Sequence, residues 1–186
     1  MTQVEYLQKM EQWADGKRFV PEAFVGGIEN VTSHFIHWQR VSELLNPGER
    51  VIEVGCGCGL SSRIYSLKTQ YVVVAVDRLE VVVMSKQMYP TPGVHFAPAD
   101  FNTEWVPNAW KGLFDVVVCV DVIEHVQNKD VMLSNLAILG HEQTRWILTT
   151  PIGPDDVPWH VHHWESVEVF LDDVCRYLPR EKVIRV

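Results

Sequence analysis

Val51-Ile52-Glu53-Val54-Gly55-Cys56-Gly57-Cys58-Gly59 decides the fold, because it reads as a buried strand running straight into a tight glycine turn. Glycines at 55, 57 and 59 permit positive φ and remove the side chains that would keep a ligand from the backbone amides. The polar run after Leu60 can open a helix whose N-terminus faces that ligand. The dinucleotide fingerprint asks for its third glycine at position 60, where Leu60 stands, and no lysine follows the loop as a phosphate-cradling P-loop requires. Glu53, two residues before the first glycine, would repel a pyrophosphate but attract a ligand carrying ammonium or sulfonium charge.

That preference points to S-adenosylmethionine. An acidic residue, any residue and then Gly-x-Gly-x-Gly, as residues 53–59 have it, resembles the first motif of the class I S-adenosylmethionine-dependent methyltransferases. The plainer alternative is a glycine turn that only joins a strand to a helix. Three later stretches fall in the order the resemblance implies. Residues 71–77, Tyr-Val-Val-Val-Ala-Val-Asp, suit a parallel strand covered on both faces. They end at Asp77, where doubly wound folds set an acid against ribose hydroxyls, a position that would also suit NAD. Residues 94–101 read as a third strand closing on Asp100 and Phe101; in the family the acid accepts from the adenine amino group and its neighbour packs near the base.

Residues 114–126 begin as a buried strand and bring Asp121, Glu124 and His125 to the carboxyl edge of the sheet, where open α/β folds bind ligands. Asp-Val-Ile-Glu-His-Val resembles the post-strand motif of ubiquinone-pathway-type methyltransferases, which implies His125 near the transferred methyl. A similar acid-x-x-Glu-His run, with a later histidine, holds a divalent metal in small-RNA 2′-O-methyltransferases. The ligand count is incomplete here, so no metal ligands are assigned.

The chain is 186 residues long and carries 16 basic against 24 acidic residues, a net charge of −8. One domain with a sizeable core is expected, and the charge works against a phosphate-backbone partner. Residues 1–16 lack the basic and apolar regions of a signal peptide, and no apolar run reaches membrane-spanning length, so a cytoplasmic protein without a membrane partner is expected. The four cysteines, with Cys56 and Cys58 inside the loop, make no secreted disulfide framework and are read as reduced. Zinc at Cys56 and Cys58 would need two further ligands.

Apolar spacing predicts a helix over 4–14, irregular chain over 17–30 that resembles a cofactor-covering segment or a plain connector, and a helix from 32 or 33 to the Asn46-Pro47-Gly48 stop. His34 and His37 on that helix read as surface or packing residues. Further helices are expected through about 67, over 79–89, over 128–139 up to Gly140, and after a Ser166 cap, with a strand over 145–151. Residues 102–112 read as too short and broken for a helix.

The loop over 153–164 holds His160, His162 and His163 where the family builds its substrate pocket. From 151 to 175 there are six acids and no lysine or arginine, which argues against nucleic acid on this face. Residues 181–186 give one final strand where the family ends with two, so the C-terminal strand pair is expected to be abbreviated.

The resulting expectation is one methyltransferase domain over 1–186, an N-terminal helix and covering segment over 1–31 followed by a doubly wound, Rossmann-like, mostly parallel sheet with helices on both faces. The resemblance implies S-adenosylmethionine as cofactor on Glu53, Gly55, Cys56, Gly57, Gly59, Asp77, Asp100, Phe101 and Asp121. His125, then His162 and His163, are the candidate bases for methylating the oxygen of a small-molecule acceptor. Two alternatives stay open: a metal-assisted RNA 2′-O-methyltransferase using Asp121, Glu124, His125 and a loop histidine, and a non-catalytic S-adenosylmethionine-binding subunit.

Overall fold

The computed structural model describes residues 28–88, 92–103, 106–154 and 157–185. Six strands form one sheet: β1 (Val51–Val54), β2 (Val73–Asp77), β3 (Val94–Pro98), β4 (Phe114–Val120), β5 (Gly140–Thr149) and β6 (Val183–Arg185), in the order β3-β2-β1-β4-β5-β6. All five pairings are parallel. The helices are α1 (Ile28–Glu43), α2 (Leu60–Thr69), α3 (Leu79–Met88), α4 (Lys129–Leu139) and α5 (Val167–Val174).

Successive strand residues go to opposite faces, and here both faces are apolar. Ile52, Val54, Val117, Cys119, Trp146 and Leu148 pack with Met132, Leu133, Leu136 and Leu139 of α4 and Phe170 and Val174 of α5. Their neighbours Val51, Val116, Val118, Val120 and Ile147 pack with Trp38, Val41 and Leu45 at α1 and Tyr65 of α2. The near-continuous valine runs of β1 and β4 are therefore the signature of a sheet covered on both sides. The doubly wound fold expected from the sequence is the fold found.

Element boundaries differ where side chains or neighbours override the apolar pattern. The helix expected from 32 or 33 begins at Ile28, so the expected irregular stretch gives way at 28–30, where the sequence offers no breaker after Gly27. The expected helix over 4–14 lies outside the described residues. β2 starts at Val73 rather than Tyr71, because its partners begin at Val51 and Val94, leaving Tyr71 and Val72 exposed. β3 stops at Pro98; Ala99 then donates its N–H to the Asp77 carbonyl at 2.9 Å, turning Asp100 and Phe101 out of the ladder.

β5 begins at Gly140, straight from the end of α4, and not at 145. Phe114 pairs with Gly140 and Val116 with Arg145, so residues 141–144 bulge. Thr144 replaces the missing rungs: its hydroxyl accepts from the His141 N–H at 2.7 Å and donates to the Phe114 carbonyl at 2.6 Å. Asn128 caps α4 and Ser166 caps α5 by accepting from Val131 and Val169 N–H groups. α5 ends at Val174, short of the expected period through Leu178, and β6 is the one strand beyond β5 among the described residues.

Gly140 sits where this bulge meets α4. A Cβ there would lie 2.4 Å from Trp146 Cζ2 and 2.8 Å from Thr144 Cγ2, and the Trp146 indole is fixed by its hydrogen bond to the Leu136 carbonyl at 3.0 Å. Gly140→Ala is expected to destabilise the fold by about 1–3 kcal/mol through overpacking, read as a lower urea midpoint with an unchanged m-value.

Candidate functional site

The exit of β1 is built around a turn that excludes side chains. Gly55, Gly57 and Gly59 take φ of 79, 50 and 81°, and the N–H groups of Gly55 and Cys56 both donate to the Val76 carbonyl, at 2.9 and 3.0 Å. A Cβ on Gly55 would lie 2.3 Å from Val122 Cγ2, and one on Gly59 2.4 Å from the Phe96 ring. The turn is thus pressed between the exits of β4 and β3, and it ends at Gly59, the N-cap of α2. Cys56 and Cys58 are buried and outside any disulfide among the described residues, and burial pushes the Cys56 thiol well above its ordinary range.

Glu53 is 2% exposed, and its carboxylate accepts from the Ser62 hydroxyl in the first turn of α2. Burial pushes it up to about 7, against the pull of the Ser61 and Ser62 hydroxyls. Glu53 is therefore a poised acid rather than a fixed anion. Asp77 at the end of β2 accepts from the Gly57 N–H at 2.9 Å and from the Arg78 N–H at 2.8 Å. Burial raises it and these two amides oppose the rise. Asp77 thus braces the glycine turn across 20 residues of sequence.

Asp100 is exposed and accepts from the Asn102 N–H at 2.9 Å. Phe101 is buried in the main core, and its carbonyl accepts from Asn135 Nδ2 at 3.1 Å. The two are tied to Asp77 by the Ala99 bond described above.

Asp121 follows β4 at φ 51°, an uncommon conformation for a residue with a side chain. Its N–H donates to Thr149, and its Oδ1 accepts from the Thr149 hydroxyl at 2.6 Å. Its Oδ2 faces α1, 3.4 Å from His37 Nδ1 and 3.6 Å from His34 Nε2. Burial opposes ionisation of Asp121, but the His37 and Thr149 hydrogen bonds and the two imidazoles outweigh it and hold the carboxyl below its usual range. The expectation that His34 and His37 are surface or packing residues is corrected here: both turn to a carboxylate at the sheet edge. No local signal gives that pairing, because 84 residues separate His37 from Asp121.

A 3-10 turn over Ile123–His125 comes next. Glu124 is 1% exposed; burial pushes its carboxyl up to about 7. Thr150 donates to Oε2 at 3.2 Å, whereas Oε1 has no hydrogen-bond partner among the described residues. The Glu124 carbonyl accepts from the N–H groups of Val161 and His162, at 2.8 and 3.2 Å, which fastens the histidine loop beneath the turn.

His125 has Nδ1 3.4 Å from the Trp159 carbonyl and Nε2 3.9 Å from Glu124 Oε1, with its ring against His160 at 4.6 Å. Glu124, His125 and His160 present possible metal-ligand atoms all within 4.8 Å of one another. His162 turns away and its Nε2 donates to the Val126 carbonyl at 2.9 Å, while His163 is exposed beside Trp164 and Asp173 in an open groove. Of the three candidate bases, His125 alone joins the Glu124 cluster; His160, noted in the loop but not chosen, joins it too.

The family described as a methyltransferase domain matches residues 32–185. Ubiquinone biosynthesis O-methyltransferase of Rickettsia felis is 31% identical over 115 residues, 61% of this chain and 42% of that protein. Phosphoethanolamine N-methyltransferase 1 of Arabidopsis thaliana is 32% identical over 122 residues, 62% of this chain and 23% of that protein. The matches therefore span less than half of these curated relatives. The crystal structure of the YcgJ protein from Bacillus subtilis superimposes with a TM-score of 0.63 at 18% identity, covering 76% of this chain and 68% of that one. With a family match across most of the chain and the glycine turn, acids and parallel sheet all in place, the chain belongs to the class I S-adenosylmethionine-dependent methyltransferases.

Proposed function

We propose that this protein transfers a methyl group from S-adenosylmethionine to an oxygen of a small-molecule acceptor. The observation that carries it is the gathering of Glu53, Asp77 and Asp121 at the exits of β1, β2 and β4 around a turn with no room for a Cβ. Such a donor set fits a cation with a ribose and disfavours a pyrophosphate. The backbone of Gly55, Cys56, Gly57 and Gly59 with Glu53 would hold the amino-acid half of the donor, Asp77 the ribose hydroxyls, and Asp100 and Phe101 the adenine end, while Asp121 lends its negative charge to the same edge. Asp77 keeps acceptor capacity beyond its two amide bonds, since an ionised carboxylate offers about four lone-pair sites.

When bound, the donor supplies an already activated methyl, so the chain's own task is to align the acceptor, exclude water and receive a proton. The family resemblance sets His125 near the transferred methyl, and His125, His162 and His163 are candidates to receive that proton; His162 also fastens the substrate loop through Val126. An oxygen acceptor is supported by the Rickettsia O-methyltransferase and a small one by both curated relatives' names. Among the described residues no helix is long and apolar enough to cross a membrane. The reading takes the whole chain as one methyltransferase domain acting in the cytoplasm, with residues 1–31 as a cover for the donor.

Titration calorimetry is expected to show uptake of S-adenosylmethionine and S-adenosylhomocysteine and none of NAD or ATP. Binding of NAD in place of the methyl donor would overturn the assignment.

Glu53 adds a pH signature. Its carboxyl sits at about 7 when folded against an ordinary 4.5, so its contribution to stability is full below pH 4.5 and is lost as pH rises through about 7. Glu53→Gln is expected to remove a loss on the order of 3 kcal/mol between pH 4.5 and 8, measured by urea unfolding across that range. Because Glu124 shifts in the same direction, a shallower slope remains in the variant. An unchanged slope would show that Glu53 does not titrate there.

A second reading rests on Glu124, His125 and His160. One carboxylate and two imidazoles suit manganese or a similar divalent ion, and Glu124 Oε1, without a hydrogen bond among the described residues, leaves a lone pair to give. Such an ion would supply Lewis-acid activation of an acceptor hydroxyl. Asp121 is turned to α1 and does not join this group. Manganese binding followed by electron paramagnetic resonance is expected to be lost in His160→Ala. Equal binding by the variant and the unaltered protein would exclude the cluster as the site.

A further inference from the structure

α1 runs against the direction of the strands. Near its C-terminal end, the Leu44 carbonyl accepts from Arg145 Nη1 at 2.8 Å, level with Val116 in β4, while His37 near its start reaches Asp121 just past the end of β4. Its first described turns therefore rise at the carboxyl edge, beside the exits of β1 and β4. α1 also packs on α2, whose first turn holds Glu53.

We propose that His37 is the catalytic base of the methyl transfer and that Asp121 is the residue that positions it; this rests on the methyltransferase reading above. The arrangement is a carboxylate and imidazole pair with one ring nitrogen committed and the other open. His37 Nδ1 is 3.4 Å from Asp121 Oδ2, which fixes the tautomer with its proton on Nδ1, and among the described residues no hydrogen bond engages Nε2. The His37 side chain is 36% exposed and that of Asp121 15%, so the imidazole is partly open while the carboxylate behind it is shielded. Asp121 is held in place at φ 51° by the Thr149 carbonyl and hydroxyl. A non-glycine residue kept in that region is a conformation the surroundings must over-determine. The 3.4 Å separation is at the long end for a hydrogen bond, as base contacts often are before substrate is bound.

The rival rings are committed elsewhere. His125 has one nitrogen toward the Trp159 carbonyl and the other toward Glu124, and His162 donates to Val126. The charged groups around His37 are Asp121 from the end of β4, and His34 and Arg40 from its own helix. The hydrogen bond from Asp121 raises His37 above the ordinary histidine value, against its partial burial and the repulsion of Arg40. His37 is therefore a somewhat stronger base than a free imidazole.

In the step, the acceptor oxygen forms a bond to the methyl carbon, and the carbon–sulfur bond breaks with its electron pair staying on sulfur. The hydroxyl proton passes to Nε2 of His37. Asp121 then faces an imidazolium, and the proton leaves to solvent from the open side of the ring, restoring the base.

The test needs no knowledge of the acceptor. The full chain, labelled at histidine, is titrated by NMR free, with S-adenosylmethionine and with S-adenosylhomocysteine. The two ligands differ by the methyl and its positive charge on sulfur. A ring beside the reacting centre is expected to titrate lower with the charged donor than with the spent one, by about half a pH unit or more. Equal titration in the two complexes would place His37 away from the sulfur and overturn the proposal. Asp121→Asn is expected to lower His37 in the free protein, and an unmoved titration would remove Asp121 as its positioning partner. If calorimetry shows neither ligand binding, the methyltransferase reading fails first; if both bind and His37 does not distinguish them, only this inference fails. For any alcohol or phenol the protein methylates, His37→Gln is expected to cut kcat by about 100-fold or more with little change in KM, and an undiminished kcat would overturn the assignment.

Discussion

Gly55 has no space for even one further carbon, because Val122 from the exit of β4 lies where its Cβ would be. The whole carboxyl edge depends on that closeness. With the β1 turn pressed on Val122 past β4, on the Phe96 ring within β3 through Gly59, and tied to Asp77 at the end of β2 through Gly57, the exits of β1, β2 and β4 are locked at fixed separations. The acids at those exits then have defined places: Glu53 under the first turn of α2, Asp77 across the Gly57 amide, and Asp121 on Thr149. A bulkier residue at 55 or 59 would also have to adopt a positive φ, so sterics and backbone conformation select glycine together.

This explains why so much of the fold and half of the site could be read from the chain. The β1 stretch and the glycine turn are local features: burial on two faces writes itself as unbroken valine, and a turn against a neighbouring strand writes itself as glycine. Asp77, Asp121 and the Ile123–His125 turn follow strand ends, and a parallel sheet sends all its strand ends to one edge. Once the order of strands was read, their meeting was implied. The bulge at 141–144 was not legible, because Thr144 builds it by replacing ladder bonds with its hydroxyl, a choice that any threonine could make or decline. The pairing of His34 and His37 with Asp121 was equally hidden. At i and i+3 they look like a polar helix face, and only the antiparallel course of α1 over the sheet brings that face to β4.

The edge holds its charges in two different ways. Glu53 and Glu124 are nearly sealed from water and each pushed to about 7, Glu53 beside serine hydroxyls and Glu124 beside the Thr150 hydroxyl with the His125 ring 3.9 Å away. Asp121 is shielded too, but it meets two imidazoles and stays ionised. Burying a carboxylate without a cationic partner costs several kcal/mol, and raising its pKa is the cheaper response. Burial therefore pushes these two acids toward the protonated form.

The same reasoning separates the two histidine groups. Around Glu124, His125 and His160 crowd a buried acid whose Oε1 has no hydrogen-bond partner among the described residues, an arrangement that an added cation would relieve. Around Asp121, the carboxylate already has Thr149 on one oxygen and imidazoles on the other, so it has little left to offer an ion. What it can do is hold a ring. A carboxylate that is satisfied, rigid and ionised makes the imidazole in front of it more willing to take a proton and no freer to move, which is the combination proton transfer in a closed site calls for. The division follows from burial and partner count alone, before any substrate is considered: a poorly paired acid suits a cation, and a well-paired one suits a base.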